Sequence, residues 1–223
     1  MTVSVILPAY NEEKYIEKCI QSILNQSIPP EEVIVVDNNS TDKTVEIAKK
    51  YPVKIVLEKT QGIIATRNHG FDLATSDIIA RTDADSEVPY TWIEQIKTYM
   101  DTNKCDALLG ASYYNMSPPP INDTLFLSFA EAIKKIFGVY PLIGPNMAIT
   151  QSAWKKVKPL LCMNEKEIHE DVDIALHMKK LGATICFDRS NIVWTSTRRL
   201  VQKPHSFFLE YPHRLIRMRQ THL

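Results

Sequence analysis

The first half of the chain alternates between short apolar runs and stretches whose apolar positions recur every three or four residues. Val3-Ser4-Val5-Ile6-Leu7, Val33 to Val36, Val53 to Leu57, Asp77 to Arg81 and Ala107 to Ala111 read as strands, bounded by proline or polar residues. Between them, Tyr15, Ile16, Cys19, Ile20, Ile23 and Leu24 share one helical face. A second helix carries Val45, Ile47 and Ala48, and a third, opened by Gly62, carries Ile63, Ile64 and Phe71. A fourth carries Trp92, Ile93, Ile96, Tyr99 and Met100. Asn11, followed by Glu12 and Glu13, is expected to cap the first of these helices. Strand–helix alternation of this kind predicts an α/β fold with a mostly parallel central sheet and right-handed crossovers.

The second half changes character. Ser117-Pro118-Pro119-Pro120 reads as a rigid connector, followed by an amphipathic stretch from Leu125 to Phe137. A Gly/Pro loop, Pro141 to Asn146, leads into a short strand at Met147 to Ile149. An acidic-started helix begins at Glu170, and two short strands are expected near Thr184–Phe187 and Ile192–Thr195. The organisation predicted is one domain over residues 1–223: a ligand-binding half at 1–112, a second half at 113–200, and a basic amphipathic helix at 201–223.

Composition narrows the functional classes. Lysine plus arginine and aspartate plus glutamate number 26 each, which removes any general electrostatic case for nucleic-acid binding. The N-terminus has no basic leader and reads as no signal peptide. The longest apolar candidate for a membrane span, Ile136 to Ile149, is broken by Gly138, Pro141, Gly144 and Pro145. Cys19, Cys105, Cys162 and Cys186 show no zinc-ligand spacing and read as buried thiols, so a reducing, cytoplasmic setting is expected.

The chemistry converges on Asp83-Ala84-Asp85. Read as extended chain leaving a buried strand, the two carboxylates point to one side, and their mutual repulsion calls for a divalent cation. Strand termination by Asp83 and helix capping by Asp85 is the alternative use. Pro8-Ala9-Tyr10-Asn11-Glu12, Asp37-Asn38-Asn39 and Asp83-Ala84-Asp85 all follow strands, at the carboxyl ends where such sheets bind ligands.

With these residues placed, the chain resembles the inverting glycosyltransferases of family 2, which have the GT-A nucleotide-diphosphosugar transferase fold. The resemblance runs from Val5 to about Arg199. It rests on Ser4 to Glu12, Val33 to Asp42, Gly62 with Ala65-Thr66-Arg67-Asn68, Asp83-Ala84-Asp85, and Glu170-Asp171. It implies a non-processive transferase moving one sugar from a nucleotide-diphosphate sugar, UDP favoured over GDP, to a glycan or lipid-linked acceptor. Pro8, Ala9, Tyr10 and Glu12 would line the base and ribose pocket. Asp37 would accept from a ring N–H, and Asn39 would sit in the same pocket, although loop capping also describes it. Gly62 would admit the backbone close to the nucleotide, and Arg67 would neutralise phosphate.

The resemblance further implies that Asp85 ligates Mn2+ or Mg2+, that Asp83 contacts ribose or metal, and that Asp171 is the catalytic base, with Asp173 ranked behind it. The third metal ligand is open, because the region where many relatives carry a histidine reads Val193 to Arg199. Arg198 and Arg199 could hold the diphosphate there. Gly144-Pro145-Asn146 is expected to close over the sugar, with a turn role for Asn146 weighed equally against a sugar contact. Trp154 and Trp194 read more readily as core than as sugar platforms, and His169 as a surface residue. The arginine-rich C-terminal segment suits either packing on the domain or peripheral contact with an anionic membrane. A nucleotidyltransferase or a non-catalytic binding module is the competing reading; the chain lacks the former's Gly-rich basic loop after the first strand.

Overall fold

A computed structural model describes residues 1–115, 117–164, 167–198 and 211–222, with side chains described for 213–218 in the last stretch. The described residues form one eight-stranded sheet. Its strands are β1 (Val3–Ala9), β2 (Glu32–Asp37), β3 (Lys54–Leu57), β4 (Ile78–Arg81), β5 (Ser86–Glu87), β6 (Ala107–Tyr114), β7 (Met147–Thr150) and β8 (Ile185–Thr195). They lie in the order β3-β2-β1-β4-β7-β6-β8-β5. The pairs β1–β2, β1–β4, β2–β3 and β6–β8 are parallel; β7 runs antiparallel to both β4 and β6, and β5 to β8.

Helices cover both faces, which is why the central strands β1, β2 and β4 are buried almost throughout. Period-two alternation divides β1, β2 and β4 between two cores. Val5, Leu7, Val35 and Ala80 face α1 (Ile16–Leu24) and α4 (Trp92–Asn103), while Ile6, Ile34, Val36 and Ile79 face the opposite layer. That layer contains α3 (Ile63–Leu73), α5 (Pro119–Phe137), α6 (Gln151–Val157) and α7 (Glu170–Lys180), packed through Phe71, Phe137, Trp154 and Val172. The short α2 (Thr44–Ala48) completes the β2–β3 crossover. In α8 (Tyr211–His222), Met218 is buried and its sulfur accepts the His169 N–H, while Ile216 and Arg217 face outward. None of the described helices is long and apolar enough to cross a membrane.

Several local expectations are corrected. Asn11 does not cap α1: it has a φ of +55°, and its side-chain oxygen accepts from the Thr41 N–H at 2.8 Å. The helix therefore starts at Ile16. Pro119 and Pro120 form no connector but open α5, since a proline in the first turn gives up no intrahelical hydrogen bond. The two strands expected after residue 184 are one strand, β8. Its register against β6 skips from Gly110↔Asp188 to Ala111↔Ile192, leaving Arg189 to Asn191 as the irregularity.

The cysteine reading is also corrected. Cys105 and Cys186 form a disulfide that ties the neighbouring starts of β6 and β8, leaving Cys19 and Cys162 as free thiols. Half of the argument for a reducing compartment is thereby removed. The pairing was hidden because the two residues are 81 apart in sequence and meet only through a parallel crossover.

Gly144-Pro145-Asn146 forms a 3-10 turn between α5 and β7, and Asn146 is a buried fastener rather than a sugar contact. Its amide donates to the carbonyls of Ala111 and Asn191 at 2.8 and 2.9 Å, and its oxygen accepts from the Trp92 indole at 2.9 Å. Gly110 makes room for it, since a Cβ there would stand 2.2 Å from the amide nitrogen. Replacing Asn146 with alanine should cost about 3 kcal/mol of stability, because buried donors and acceptors lose their partners. Urea denaturation measures this; a change within error would mean that the three contacts do not hold the turn.

Candidate active site

β1, β2 and β4 run parallel, so their carboxyl ends open on one edge. Pro8 and Ala9 are buried at the end of β1, and the Tyr10 ring is half exposed beyond them. Asp37, at the end of β2, is buried and accepts from the Ser40 N–H. Asn38, passed over in the sequence, holds the facing loop. Its amide donates to the carbonyls of Glu58 and Thr60, and its oxygen accepts the Gly62 N–H at 2.8 Å. Asn39, at a φ of +62°, donates to the Glu58 and Lys59 carbonyls, so it too fastens this loop. Gly62 caps α3 at a φ of +140°, a conformation that a side chain would strain.

Beyond β4 the chain turns rather than staying extended: the Ser86 N–H donates to the Asp83 carbonyl at 3.0 Å. Both carboxylates remain in the site, Asp83 and Asp85 each being buried. The turn is held from beneath by the Cys19 thiol, which donates to the same Asp83 carbonyl. Burial and the Asp85 and Asp83 charges push that thiol well above its ordinary pKa. On the other side, Thr195 lies 3.5 Å from Asp85 Oδ1, and the Arg198 guanidinium reaches 3.6 Å from Asp85 Oδ2 while hydrogen-bonding Glu12. Arg198 also lies over the Tyr15 ring. Glu12 is itself buried, with its backbone N–H on Thr44 Oγ1, so it is more than a first-turn charge. Arg199 lies outside the described residues.

The opposite wall is the start of α7, which brings Glu170 and Asp171 to the same edge. Glu170 sits between two guanidiniums, Arg67 at 3.0 Å and Arg81 at 3.1 Å. Arg81 also reaches Asp83 at 3.2 Å and Asp171 at 3.8 Å. Arg67 is buried behind Glu170, with Nε and Nη2 both donating to Asn68, so a solvent-facing place is excluded and its guanidinium is engaged by protein groups rather than left open to phosphate. Burial works against the charge on Glu170, but Arg81 and Arg67 outweigh it and hold its pKa down. Burial, reinforced by the Glu170 charge, pushes Asp171 up to about 8.

Asp173, the second-ranked base, is instead a brace: its carboxylate accepts the Cys162 N–H and meets His177 at 3.4 Å. His169 is buried, not a surface residue, and burial lowers its pKa to about 4. Trp154 is core, edge-on to Phe71 with its indole on Asp72. Trp194 is half buried, edge-on to Tyr113.

Along this edge run Glu12, Arg198, Asp85, Asp83, Arg81, Glu170, Asp171 and Arg67, five carboxyl groups against three guanidiniums. Fully ionised, the cluster carries excess negative charge beside Asp83 and Asp85, as an oxygen-seeking divalent cation requires. No group of three His, Cys, Asp or Glu side chains forms a ready cage among the described residues. Two carboxylates, with the remaining positions left to phosphate and water, are what Mg2+ commonly takes from a protein. The donor set fits such an ion.

A protein-family model described as glycosyl transferase family 2 matches residues 4–152. A cholesterol galactosyltransferase from Borreliella burgdorferi is 24% identical over 217 residues, covering 89% of this chain and 60% of that protein. An uncharacterized glycosyltransferase, EpsJ, from Bacillus subtilis is 30% identical over 146 residues, covering 60% and 42%. The chain thus matches about a third to three fifths of the length of such curated relatives. Among solved structures, S. aureus TarS 1-349 in complex with UDP-GlcNAc superposes with a TM-score of 0.69 at 24% identity, covering 88% of this chain and 58% of that one. Glucosyl-3-phosphoglycerate synthase from Mycobacterium tuberculosis, with Mn2+, UDP-glucose and phosphoglyceric acid, gives 0.67 at 20%, covering 97% and 79%. These likenesses establish the GT-A fold.

Asp171 yields a stability test. Its folded-state pKa lies above the ordinary 3.8, so its contribution to stability is complete below that value and is lost as pH rises through about 8. An Asp171→Asn variant carries no such titration. Its melting temperature should therefore exceed that of the parent by a margin that widens from about pH 5 to about pH 9. A constant margin would show that Asp171 is not held protonated by its surroundings.

Proposed function

The chain belongs to glycosyl transferase family 2, and on that footing we propose that it moves a single sugar from a nucleoside-diphosphate sugar to an acceptor hydroxyl with inversion. The observation that carries this reading is the pairing of the Asp83/Asp85 turn with the buried Asp171 across one guanidinium, Arg81. One side offers carboxylates suited to a cation and a diphosphate. The other offers a carboxyl group whose pKa, about 8, suits proton abstraction near neutrality.

In this reading Pro8, Ala9 and Tyr10 flank the base, Asp37 accepts from it, and Glu12 faces the ribose. UDP is the first choice of donor nucleotide. This choice is supported by the UDP-GlcNAc complex of TarS and the UDP-glucose complex of the synthase, and GDP by a GDP-Man and Mn2+ complex of a Pyrobaculum calidifontis mannosyltransferase of the same fold. Asp85 and Asp83 would hold Mn2+ or Mg2+, which when bound offsets the charge developing on the leaving diphosphate. Arg198 stands beside Asp85 and is placed to take a phosphate oxygen.

Asp171 in its ionised form removes the acceptor hydroxyl proton as that oxygen bonds to the anomeric carbon. The bond from that carbon to the diphosphate breaks on the opposite side, so the electron pair leaves with the nucleotide. A glycan or lipid-linked alcohol is the proposed acceptor class. For the latter, the outward Ile216 and Arg217 of α8 are the side chains that would meet an anionic membrane.

Melting temperatures measured with UDP, GDP and CDP, with and without Mn2+, test the donor site. One diphosphate should raise the midpoint only when metal is present, and Asp85→Ala should abolish the rise. No rise with any of them would refute the donor site. Asp171→Asn should keep the nucleotide-dependent rise while losing about 100- to 10,000-fold in turnover. Binding and turnover unchanged in that variant would remove Asp171 from its role.

A further inference from the structure

Arg81 enters the reading above only as the group that stands between the two sides of the site, yet its guanidinium meets three of the site's carboxyl groups. It lies at the end of β4, where its neighbours Ile79 and Ala80 are core residues, and it is 2% exposed. Its guanidinium donates to Glu170 Oε1 at 3.1 Å and Asp83 Oδ1 at 3.2 Å, and stands 3.8 Å from Asp171 Oδ1. A buried cation normally costs heavily, and three carboxyl groups around one guanidinium offset that cost.

The fold makes space for this side chain deliberately. Gly144, in the turn before β7, lies over the guanidinium, and a Cβ there would be 2.4 Å from Nη2 and 2.6 Å from Cζ. The glycine does not serve a positive φ; it serves this close approach.

The three carboxyl groups depend on Arg81 unequally. The turn carrying Asp83 is fixed by the Ser86 N–H and the Cys19 thiol, both on the Asp83 carbonyl. Glu170 has a second guanidinium in Arg67. Asp171 is anchored through its backbone, whose carbonyl accepts the Leu142 N–H, but its Oδ1 makes no hydrogen bond among the described residues. Arg81 is the guanidinium at ion-pair distance from that oxygen.

We propose that Arg81 is the positioning residue of the base: seated under Gly144 and braced by Glu170 and Asp83, its guanidinium fixes where the Asp171 carboxylate points relative to the donor side. The proposal rests on the transferase reading. Arg81 touches no reacting atom; it acts through Asp171. Its loss is therefore felt in the chemical step, while the nucleotide, held by β1, β2 and the Asp85 side of the turn, still binds.

Two variants separate this from a structural role. Arg81→Lys keeps a buried positive charge but loses the fork. Gly144→Ala keeps every charged residue and displaces the guanidinium sterically. The readouts are UDP affinity in Mn2+ by calorimetry and steady-state release of UDP from a UDP-sugar with water as acceptor. The parent protein must first bind UDP and release it from the sugar; failure there sinks UDP as the donor nucleotide, not the role of Arg81, and the same readouts are then taken with GDP and a GDP-sugar. Given a working parent, both variants should bind UDP as the parent does and hold KM for the donor. Their kcat should fall about 100-fold, the size expected of a misplaced reacting group. Equal losses in affinity and turnover, or turnover at the parental rate in a folded Gly144→Ala, would overturn the proposal.

Discussion

A guanidinium buried among three carboxyl groups is the constraint on which this site depends. Arg81 lies at the carboxyl end of a central strand, out of water, where an isolated cation would not persist. Its partners come from three places in the chain: Asp83 two residues on, and Glu170 and Asp171 from the start of α7. The ion cluster therefore ties the end of β4 to a helix almost ninety residues away. Removing the guanidinium would leave Asp83 and Glu170 buried with less positive charge between them, which is why the cluster depends on Arg81 more than on any one of its carboxyl partners.

The sheet explains why these groups meet. Parallel β1, β2 and β4 deliver Ala9, Asp37 and Arg81 to one edge, and antiparallel β7 enters beside β4, bringing Gly144 over the guanidinium. On the far side β8 returns Thr195 and Arg198 to Asp85 through its antiparallel pairing with β5. The same burial that stabilises the strands removes solvent from the carboxylates. One of them, Glu170, stays ionised against two arginines; its neighbour Asp171 is left with a pKa near 8. Adjacent carboxyl groups with separated affinities for protons are a means of assigning one to structure and one to chemistry.

Much of this was legible in the sequence because burial on both faces writes itself as continuous apolar runs. Val3 to Leu7, Val33 to Val36 and Ile78 to Ala80 carry that signal, and the polar clusters after them marked the edge where the site lies. The direction of β7 was not legible, since four apolar residues carry no sign of parallel or antiparallel pairing. Nor was the Cys105–Cys186 bond, which depends on a crossover. Asn11 and Asn39 read as caps or pocket residues, but each turns out to fasten a loop at positive φ. Arg81 left one local signal: a charged residue between the core residue Ala80 and a carboxylate. Its significance depends on Glu170 and Gly144, which only the three-dimensional fold brings near.

Anomalous diffraction at the manganese edge, from crystals of the chain grown with Mn2+ and UDP, tests the central claim most directly. The account predicts a single strong peak at the Asp83–Asp85 turn, about 2 Å from a carboxylate oxygen of Asp85, with the diphosphate against it and Arg81 still bound to Glu170. A manganese site away from that turn, or ordered UDP with no metal beside Asp85, would contradict it.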